Sequence, residues 1–249
     1  MKVAALYDIH GNLPALEAVL KEVEKLNVDQ IVVGGDVVLG PMSKDCLDLL
    51  LKLRIPTHFI YGNCEVAVLN EMDQKPLAKL PESVLEDIRW TASQHTMEHR
   101  QIISRWPKTL QLTIGGLGSV LFCHGTPQNE NENFTRLTPE DRLIPVFEKV
   151  EANYIVCGHT HMQFDRMIGS KRVINAGSVG MPFGNPGAYW LLLDEKVELR
   201  YTLYNLDSAM ERILNTNYPH AEEFAHRNVV NPPTEETMLE VFRKAEMIN

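Results

Sequence analysis

From its N-terminus the chain alternates short apolar runs with segments whose apolar residues recur at helical spacing. Residues 3–7, 30–33 and 57–61 read as strands. Between them, Leu13 to Leu20 follows a helical period, with Pro14 where a first turn tolerates it. Residues 43–53 predict a second helix. Strands alternating with helices imply βαβ units and a largely parallel sheet. From about 66 to 106 the pattern turns mostly helical, with Val84, Ile88, Thr91, Ile102 and Ile103 on the expected buried side and Pro107 closing the segment. Residues 109–114 and 119–123 predict a hairpin around Gly115-Gly116-Leu117-Gly118. A polar stretch over 128–133 predicts a solvated loop, and 139–150 a helix. Strands follow at 154–157, 164–168, 172–175, 188–193 and 197–204; the late ones are joined by turns short enough for antiparallel pairing. Helices over 207–214, 221–226 and 235–245 close the pattern. With no repeat and no Gly/Pro/Ser linker, one domain over 1–249 is expected, with a helical insertion at about 66–106 and C-terminal helices at about 207–245.

The polar residues that interrupt this pattern fall at the strand ends. Ala4-Ala5-Leu6-Tyr7 runs into Asp8-Ile9-His10, and Ile31-Val32-Val33 into Gly34-Gly35-Asp36. His58-Phe59-Ile60-Tyr61 runs into Gly62-Asn63-Cys64-Glu65, and Val120-Leu121-Phe122-Cys123 into His124-Gly125. Tyr154-Ile155-Val156-Cys157 runs into Gly158-His159-Thr160-His161, and Val173-Ile174 into Asn175-Ala176-Gly177-Ser178. Ligands of open α/β sheets collect at the carboxyl ends of strands, so these clusters can converge on one rim. Asp8, His10, Asp36, Asn63, His124, His159 and His161 would then offer two carboxylates, four imidazoles and a carboxamide. Such nitrogen and oxygen donors suit Mn, Fe, Zn, Co or Ni.

Composition narrows the classes. Of 249 residues, 44% are hydrophobic and 23% charged, enough for a sizeable core. The net charge of −9 speaks against broad binding to nucleic acid or anionic membrane. No run approaches the roughly 18 apolar residues of a membrane span, and Met1–Asp8 is too short for a signal peptide. The expectation is a soluble cytoplasmic protein with no membrane partner. Cys46, Cys64, Cys123 and Cys157 form no CxxC pair and read as free thiols.

The ordered clusters resemble the calcineurin-like metallophosphoesterase superfamily, in particular its compact bacterial and archaeal phosphodiesterases. That family's DxH, GDxxxxG, GNxE/D, HG and GHTH motifs correspond to Asp8-Ile9-His10, Gly35-Asp36-Val37-Val38-Leu39-Gly40, Gly62-Asn63-Cys64-Glu65, His124-Gly125 and Gly158-His159-Thr160-His161. The resemblance extends over about residues 1–193. It implies an α/β sandwich of two packed mixed sheets flanked by helices. It implies that Asp8, His10, Asp36 and His161 hold one metal and that Asp36, Asn63, His124 and His159 hold another. Asp36 would bridge the pair, as would a hydroxide placed for in-line attack on phosphorus. Asp36, Asn63 and His124 thereby count as catalytic. The metals would be two divalent or mixed-valence transition ions, manganese first, with Fe, Zn, Ni or Co as alternatives.

One position departs from the family. Many relatives carry GNH, whose histidine contacts substrate; here Cys64 stands in that substrate-proximal place. A neutral thiol is a poor proton donor, so good leaving groups or an acid from elsewhere are expected. The implied activity is metal-dependent phosphoester hydrolysis, most naturally of phosphodiesters, with a small phosphoester or nucleotide as substrate. Phosphomonoesterase, phosphoprotein phosphatase and dinucleoside polyphosphate hydrolase remain alternatives, and a non-catalytic metal-binding scaffold is a different class. Long nucleic acid is not expected, and a homo-oligomer stays open.

Residue by residue, blander roles compete. Asp36 or Asn63 alone could be turn residues, and Asn12 could cap the helix after Asp8 and His10. His58 reads as core or sheet edge. His95 and His99, four apart, would share a helix face and are expected at the surface, as are His220 and His226. Cys123 and Cys157 read as core fillers. Residues 175–178 are expected to support the site or contact phosphate rather than bind metal.

Overall fold

The computed structural model describes residues 1–245. Its strands, in chain order, are β1 (Val3–Leu6), β2 (Gln30–Val33), β3 (Thr57–Phe59), β4 (Leu110–Ile114), β5 (Gly118–Phe122), β6 (Tyr154–Cys157), β7 (Phe164–Ile168), β8 (Lys171–Asn175), β9 (Ala188–Leu193) and β10 (Val197–Thr202). They form two five-stranded sheets, ordered β10-β9-β1-β2-β3 and β4-β5-β6-β8-β7. β1, β2 and β3 are parallel, with β9 and β10 added antiparallel on the β1 side. In the second sheet β5, β6 and β8 are parallel, flanked by antiparallel β4 and β7. The result is the α/β sandwich of two packed mixed sheets that the resemblance implies.

The two-residue period of the strands explains the layering. Val3, Ala5 and Tyr7 pack with Val32, Phe122, Val156 and Ile174 between the sheets. Ala4, Leu6, Ile31 and Val33 face the other way, onto helices α1 (Leu13–Lys25) and α2 (Ser43–Leu51) through Leu16, Val19, Leu47 and Leu50. Beyond the second sheet, Ile155 and Val173 pack under Leu143 and Phe147 of the helix over Glu140–Phe147. Both faces of the parallel strands are therefore covered, which is why they read as continuous apolar runs. Tyr7 ties the layers together: its buried hydroxyl donates to the Val156 carbonyl at 3.1 Å.

The segment between β3 and β4 holds α3 (Asn63–Met72), α4 (Glu82–Gln94) and α5 (Met97–Ile103). With the helix over Glu140–Phe147 as α6, the chain continues after β10 into α7 (Leu206–Leu214), α8 (Ala221–Phe224) and α9 (Glu235–Ala245). Three details differ from expectation. The first insertion helix starts at Asn63 rather than about 66, because the Glu65 carboxylate accepts the Gly62 N–H at 2.7 Å and closes its first turn. His95 and His99 do not share a helix: Thr96 interrupts it, accepting the His99 N–H at its hydroxyl to start α5. Both imidazoles are buried, His95 on Ser43 and His99 on Asp48, so the surface expectation is corrected. Finally, α8 passes into a π-helical stretch, Ala225–Val230, a register no 3.6-residue period reveals. None of the described helices is long and apolar enough to cross a membrane.

Asn12 shows how the first strand is locked to its helix. Its Oδ1 accepts the Ala15 N–H at 3.2 Å, and its Nδ2 donates to the Gly180 carbonyl and the Tyr204 hydroxyl at 2.9 and 3.1 Å. Asn12→Ala removes a cap and orphans a buried carbonyl. It is expected to lower stability by about 1–3 kcal/mol in urea denaturation; a loss below about 0.5 kcal/mol contradicts this assignment.

Candidate metal centre

Parallel pairing brings the carboxyl ends of β1, β2 and β3 to one rim and those of β5, β6 and β8 to the facing rim. Cross-strand backbone bonds carry this register past the strand ends. The Asp8 and His10 N–H groups donate to the Gly35 and Asp36 carbonyls at 3.2 and 2.9 Å, and Gly158 N–H to the His124 carbonyl at 2.9 Å. All seven residues singled out in the sequence meet at this seam. Asp8, His10 and His161 place ligand atoms within 4.8 Å of one another, as do Asp36, His124 and His159. Asp36 also joins His10 and Cys64 in a third such group. Asn63, first residue of α3, closes the ring, its Oδ1 3.1 Å from His124 Nε2.

Each carboxylate is split between two tasks. Asp8 Oδ2 accepts the His159 N–H at 2.9 Å, while Oδ1 faces His161, His124 and His10 at 3.4, 3.8 and 3.9 Å. Asp36 Oδ1 accepts the Cys64 N–H at 2.8 Å, while Oδ2 faces His124 and His10 at 3.3 and 3.8 Å. Two imidazoles are oriented from behind: His124 Nδ1–H donates to the Gly34 carbonyl at 2.9 Å and His161 Nδ1–H to the Met181 carbonyl at 2.7 Å. Such outer bonds hold each ring with Nε2 turned to the centre.

The electrostatics follow from burial and from the mixture of signs. Burial raises both Asp8 and Asp36, but the surrounding histidines outweigh it and hold both below the usual carboxylate range. His10 and His159 go down to about 4, through burial first and then a neighbouring imidazole. His124 behaves oppositely: burial disfavours its cation, yet Asp36 and Asp8 lift it to about 10. Two anionic carboxylates and two neutral imidazoles thus stand ready to ligate.

These donors fit a pair of divalent cations. Asp8 Oδ1 and His159 Nε2 are buried with no hydrogen-bond partner, and His10 Nε2 lies only 3.2 Å from His161 Nε2. Unsatisfied buried acceptors are costly, and a cation in each group would satisfy one of them.

Five of the seven residues have left-handed backbone: Asp8, His10, Asp36, His159 and His161, with φ between 46° and 67°. Strain of this kind concentrates where a side chain must be aimed. Gly35, at φ 94°, has no room for a Cβ, which would sit 2.6 Å from the Gly62 nitrogen.

Support around the ring includes groups the sequence left without a role. Glu65, fully buried, accepts N–H bonds from Gly62, Asp36, Val37 and Val38 at 2.7 to 3.2 Å. It holds the turn that carries Asp36, against burial and the Asp36 charge, which push its own carboxyl up to about 7. Its place in the GNxE motif was the only signal. Asn175 and Ser178 do support the site, donating to the Gly158 and Asp8 carbonyls. Cys64 stands at the centre, its buried thiol lying on Asp36 and donating to Oδ2 at 3.1 Å, and burial pushes it well up. It is a neutral brace on a carboxylate. Cys46, Cys123 and Cys157 are buried free thiols.

His10 also lines a cleft of about 400 Å³, with Leu39, Met181 and Phe183, residues of α4 and the segment over 218–238 as its other walls. His220, expected in solvent, lines it half-buried, its Nδ1 2.8 Å from Asp87 Oδ1. Nothing in the local sequence around residue 220 signalled this.

A family model for the calcineurin-like phosphoesterase superfamily domain matches residues 1–197. The chain belongs to that superfamily and is, by class, a metal-dependent phosphoesterase. An uncharacterized protein of Methanocaldococcus jannaschii is 27% identical over 237 residues, covering 87% of this chain and 93% of that one. Among solved structures, a hypothetical protein of Pyrococcus horikoshii superposes with a TM-score of 0.81 at 20% identity, covering 94% of this chain and 99% of the other. A metallophosphoesterase of Sphaerobacter thermophilus superposes with a TM-score of 0.70 at 22% identity, covering 91% and 97%. At these identities the structural likeness is one of fold.

Two predictions follow from the geometry. His124, protonated at neutral pH, must release its proton to ligate through Nε2. Mn²⁺ binding is therefore expected to release about one proton and to strengthen roughly tenfold per pH unit between pH 6 and 8. Calorimetry in buffers of different ionisation enthalpy reads this directly, and proton-neutral binding contradicts it. Glu65→Gln sets an amide N–H against backbone donors and is expected to cost about 2 kcal/mol or more in denaturation at pH 8; an unchanged midpoint would remove Glu65 from the support of the Asp36 turn.

Proposed function

We propose that this chain is a phosphodiesterase acting on small phosphodiesters with two transition-metal ions, manganese foremost. Asp8, His10 and His161 with Asp36 would hold one ion, and Asp36, Asn63, His124 and His159 the other. The observation that carries the reading is the double membership of Asp36: one buried carboxylate stands in ligand groups on both sides of the seam. Bound there, a divalent pair supplies Lewis acidity, acidifying water and neutralising phosphate oxygens in an in-line displacement.

The chain's own residues set the rest. With two divalent ions held, Asp8 and Asp36 would offset two of the four positive charges and leave the centre attractive to an anion although the protein is acidic overall. Asn63 offers a neutral oxygen and cancels none of that charge. His124 and His161, held from behind by carbonyls, keep Nε2 aimed without rearrangement during turnover. Cys64 steadies Asp36 with a neutral donor whose proton is committed to Asp36 Oδ2, so the leaving group takes its proton from solvent.

Preference for a diester has a charge argument. Among the described residues, none of the hydrogen bonds or ion pairs of these seven side chains involves Lys or Arg. A monoester dianion would bring a second charge that no Lys or Arg paired with these seven side chains meets. A diester monoanion needs none.

The test is turnover of bis(p-nitrophenyl) phosphate by Mn²⁺-loaded protein against p-nitrophenyl phosphate. Diester hydrolysis is expected to dominate, and Asp36→Ala and Asn63→Ala each to lose about a thousandfold or more in kcat/KM with circular dichroism unchanged. Faster hydrolysis of the monoester would replace the reading with a phosphatase. Tight metal uptake without turnover of either ester would replace it with a scaffold.

A further inference from the structure

We infer that β10 is the contact through which two copies of this chain pair, edge strand against edge strand, antiparallel and centred on Leu199, so that one sheet runs through both copies. The inference is independent of the activity read above. β10 ends the order β10-β9-β1-β2-β3 and has a neighbouring strand on one side only.

Its outward backbone groups can be identified. Tyr189 N–H donates to the carbonyl of Ser178, whose hydroxyl bonds the Asp8 carbonyl just after β1, so the groups of Tyr189 turn towards β1. Backbone groups alternate along a strand, and those of Trp190 and Leu192 therefore turn towards β10. Gln163 agrees. Its Nε2 donates to the Trp190 and Arg200 carbonyls at 3.0 and 3.2 Å, and these two residues stand opposite each other. Both carbonyls must point into the gap between β9 and β10 to share one donor. Alternation then leaves the N–H and C=O groups of Val197, Leu199 and Tyr201 pointing away from the sheet, and no turn or loop bond takes them up among the described residues.

The side chains choose the partner. Leu199 and Tyr201 are 47% and 43% exposed. They alternate with Glu198 and Arg200 on the other face, where the Arg200 guanidinium lies over the Trp190 ring at 5.5 Å and 3.7 Å from Glu22 of α1. Charges on an edge strand usually block pairing, but here the sign alternates. Set antiparallel against itself about Leu199, the strand places Leu199 opposite Leu199, Val197 opposite Tyr201 and Glu198 opposite Arg200, each mixed pair occurring twice by symmetry. Glu198 is already 3.4 Å from Arg200 and 3.2 Å from Lys196 within one copy, and all three side chains reach solvent, free to turn across the seam. Neighbouring registers fail. Centring on Glu198 or Arg200 sets like charges directly opposite, centring on Tyr201 sets Arg200 against Thr202, and centring on Val197 carries most of the strand past its own end. A foreign extended segment would have to bring the reverse order of charge, which the chain's own copy carries.

None of the seven ring residues and none of the residues lining the cleft lies on β10, so substitutions there probe the contact without touching the centre. In sedimentation equilibrium of the full chain, the mass is expected to rise with concentration from that of one chain to that of two. Glu198→Arg and Arg200→Glu, each setting like charges across the seam twice, are expected to weaken dimerisation about tenfold or more, and the double variant to recover it. Leu199→Pro removes an N–H that β9 does not use, so it is expected to leave a monomer with unchanged circular dichroism. Leu199→Cys, opposite its own copy, is expected to cross-link under mild oxidation, the four native cysteines being buried. A dimer indifferent to both single reversals, a double variant that stays monomeric, or a dimer that survives Leu199→Pro overturns the inference. So does a wild type that is monomeric at every concentration, even where its edge captures an unrelated extended peptide.

Discussion

Two carboxylates buried at the seam of two sheets govern the rest of the molecule. Removing Asp8 and Asp36 from water costs several kcal/mol each unless their charge is answered. The fold answers it twice. One oxygen of each carboxylate takes a backbone N–H, from His159 or Cys64, and the other is left facing imidazoles. The tied oxygens fix direction, and the free ones define the centre. Because Asp8 follows β1 and its N–H donor follows β6, this arrangement exists only when both sheets are packed. The acid–imidazole ring is thus a product of tertiary structure at a place where no single element could hold it.

That dependence explains what could be read in advance. The strands were visible because both faces of the central ones are covered, and the ligand residues because each follows directly on such a run: Asp8 after Leu6 and Tyr7, His124 after Phe122 and Cys123. Side chains whose partners are distant were not visible. Glu65 looked like one more polar residue at a helix start, yet it gathers N–H groups from two loops. His95 and His99 looked like one helical face, but Thr96 breaks the helix and turns both inward. His220 finds Asp87 across 133 positions of chain. Cys64 could be placed at the site from its motif, but not the direction of its thiol, which depends on where Asp36 Oδ2 lies.

Backbone strain sharpens the same point. A left-handed conformation costs a non-glycine residue roughly 1–2 kcal/mol, and five of the seven ligand candidates adopt it. Such residues would relax if their neighbours allowed it. Glu65 and the carbonyls behind His124 and His161 hold the ring in place, and Gly62 leaves room for the Asp36 carboxylate, since a Cβ there would fall 2.2 Å from Asp36 Oδ1. Stability taken from the two apolar layers is thereby converted into a fixed geometry of donors.

Chemistry and selection then sit on different parts of the chain. The ligand ring is complete by His161, and its outer supports by Met181, all inside the segment shared with the superfamily. Much of the cleft wall comes from α4 and from the segment after residue 197, which contribute no ligand, while Leu39, Met181 and Phe183 complete it from the superfamily segment. Substitutions in those walls can change what fits beside the phosphate without disturbing the carboxylates, because no hydrogen bond of Asp8 or Asp36 reaches them. His10 is the shared boundary: its imidazole belongs to the ring, and its outer edge belongs to the cleft. A group bound in the cleft therefore bears on the phosphate through a residue already held rigid, so binding there can position the reacting bond without reshaping the centre.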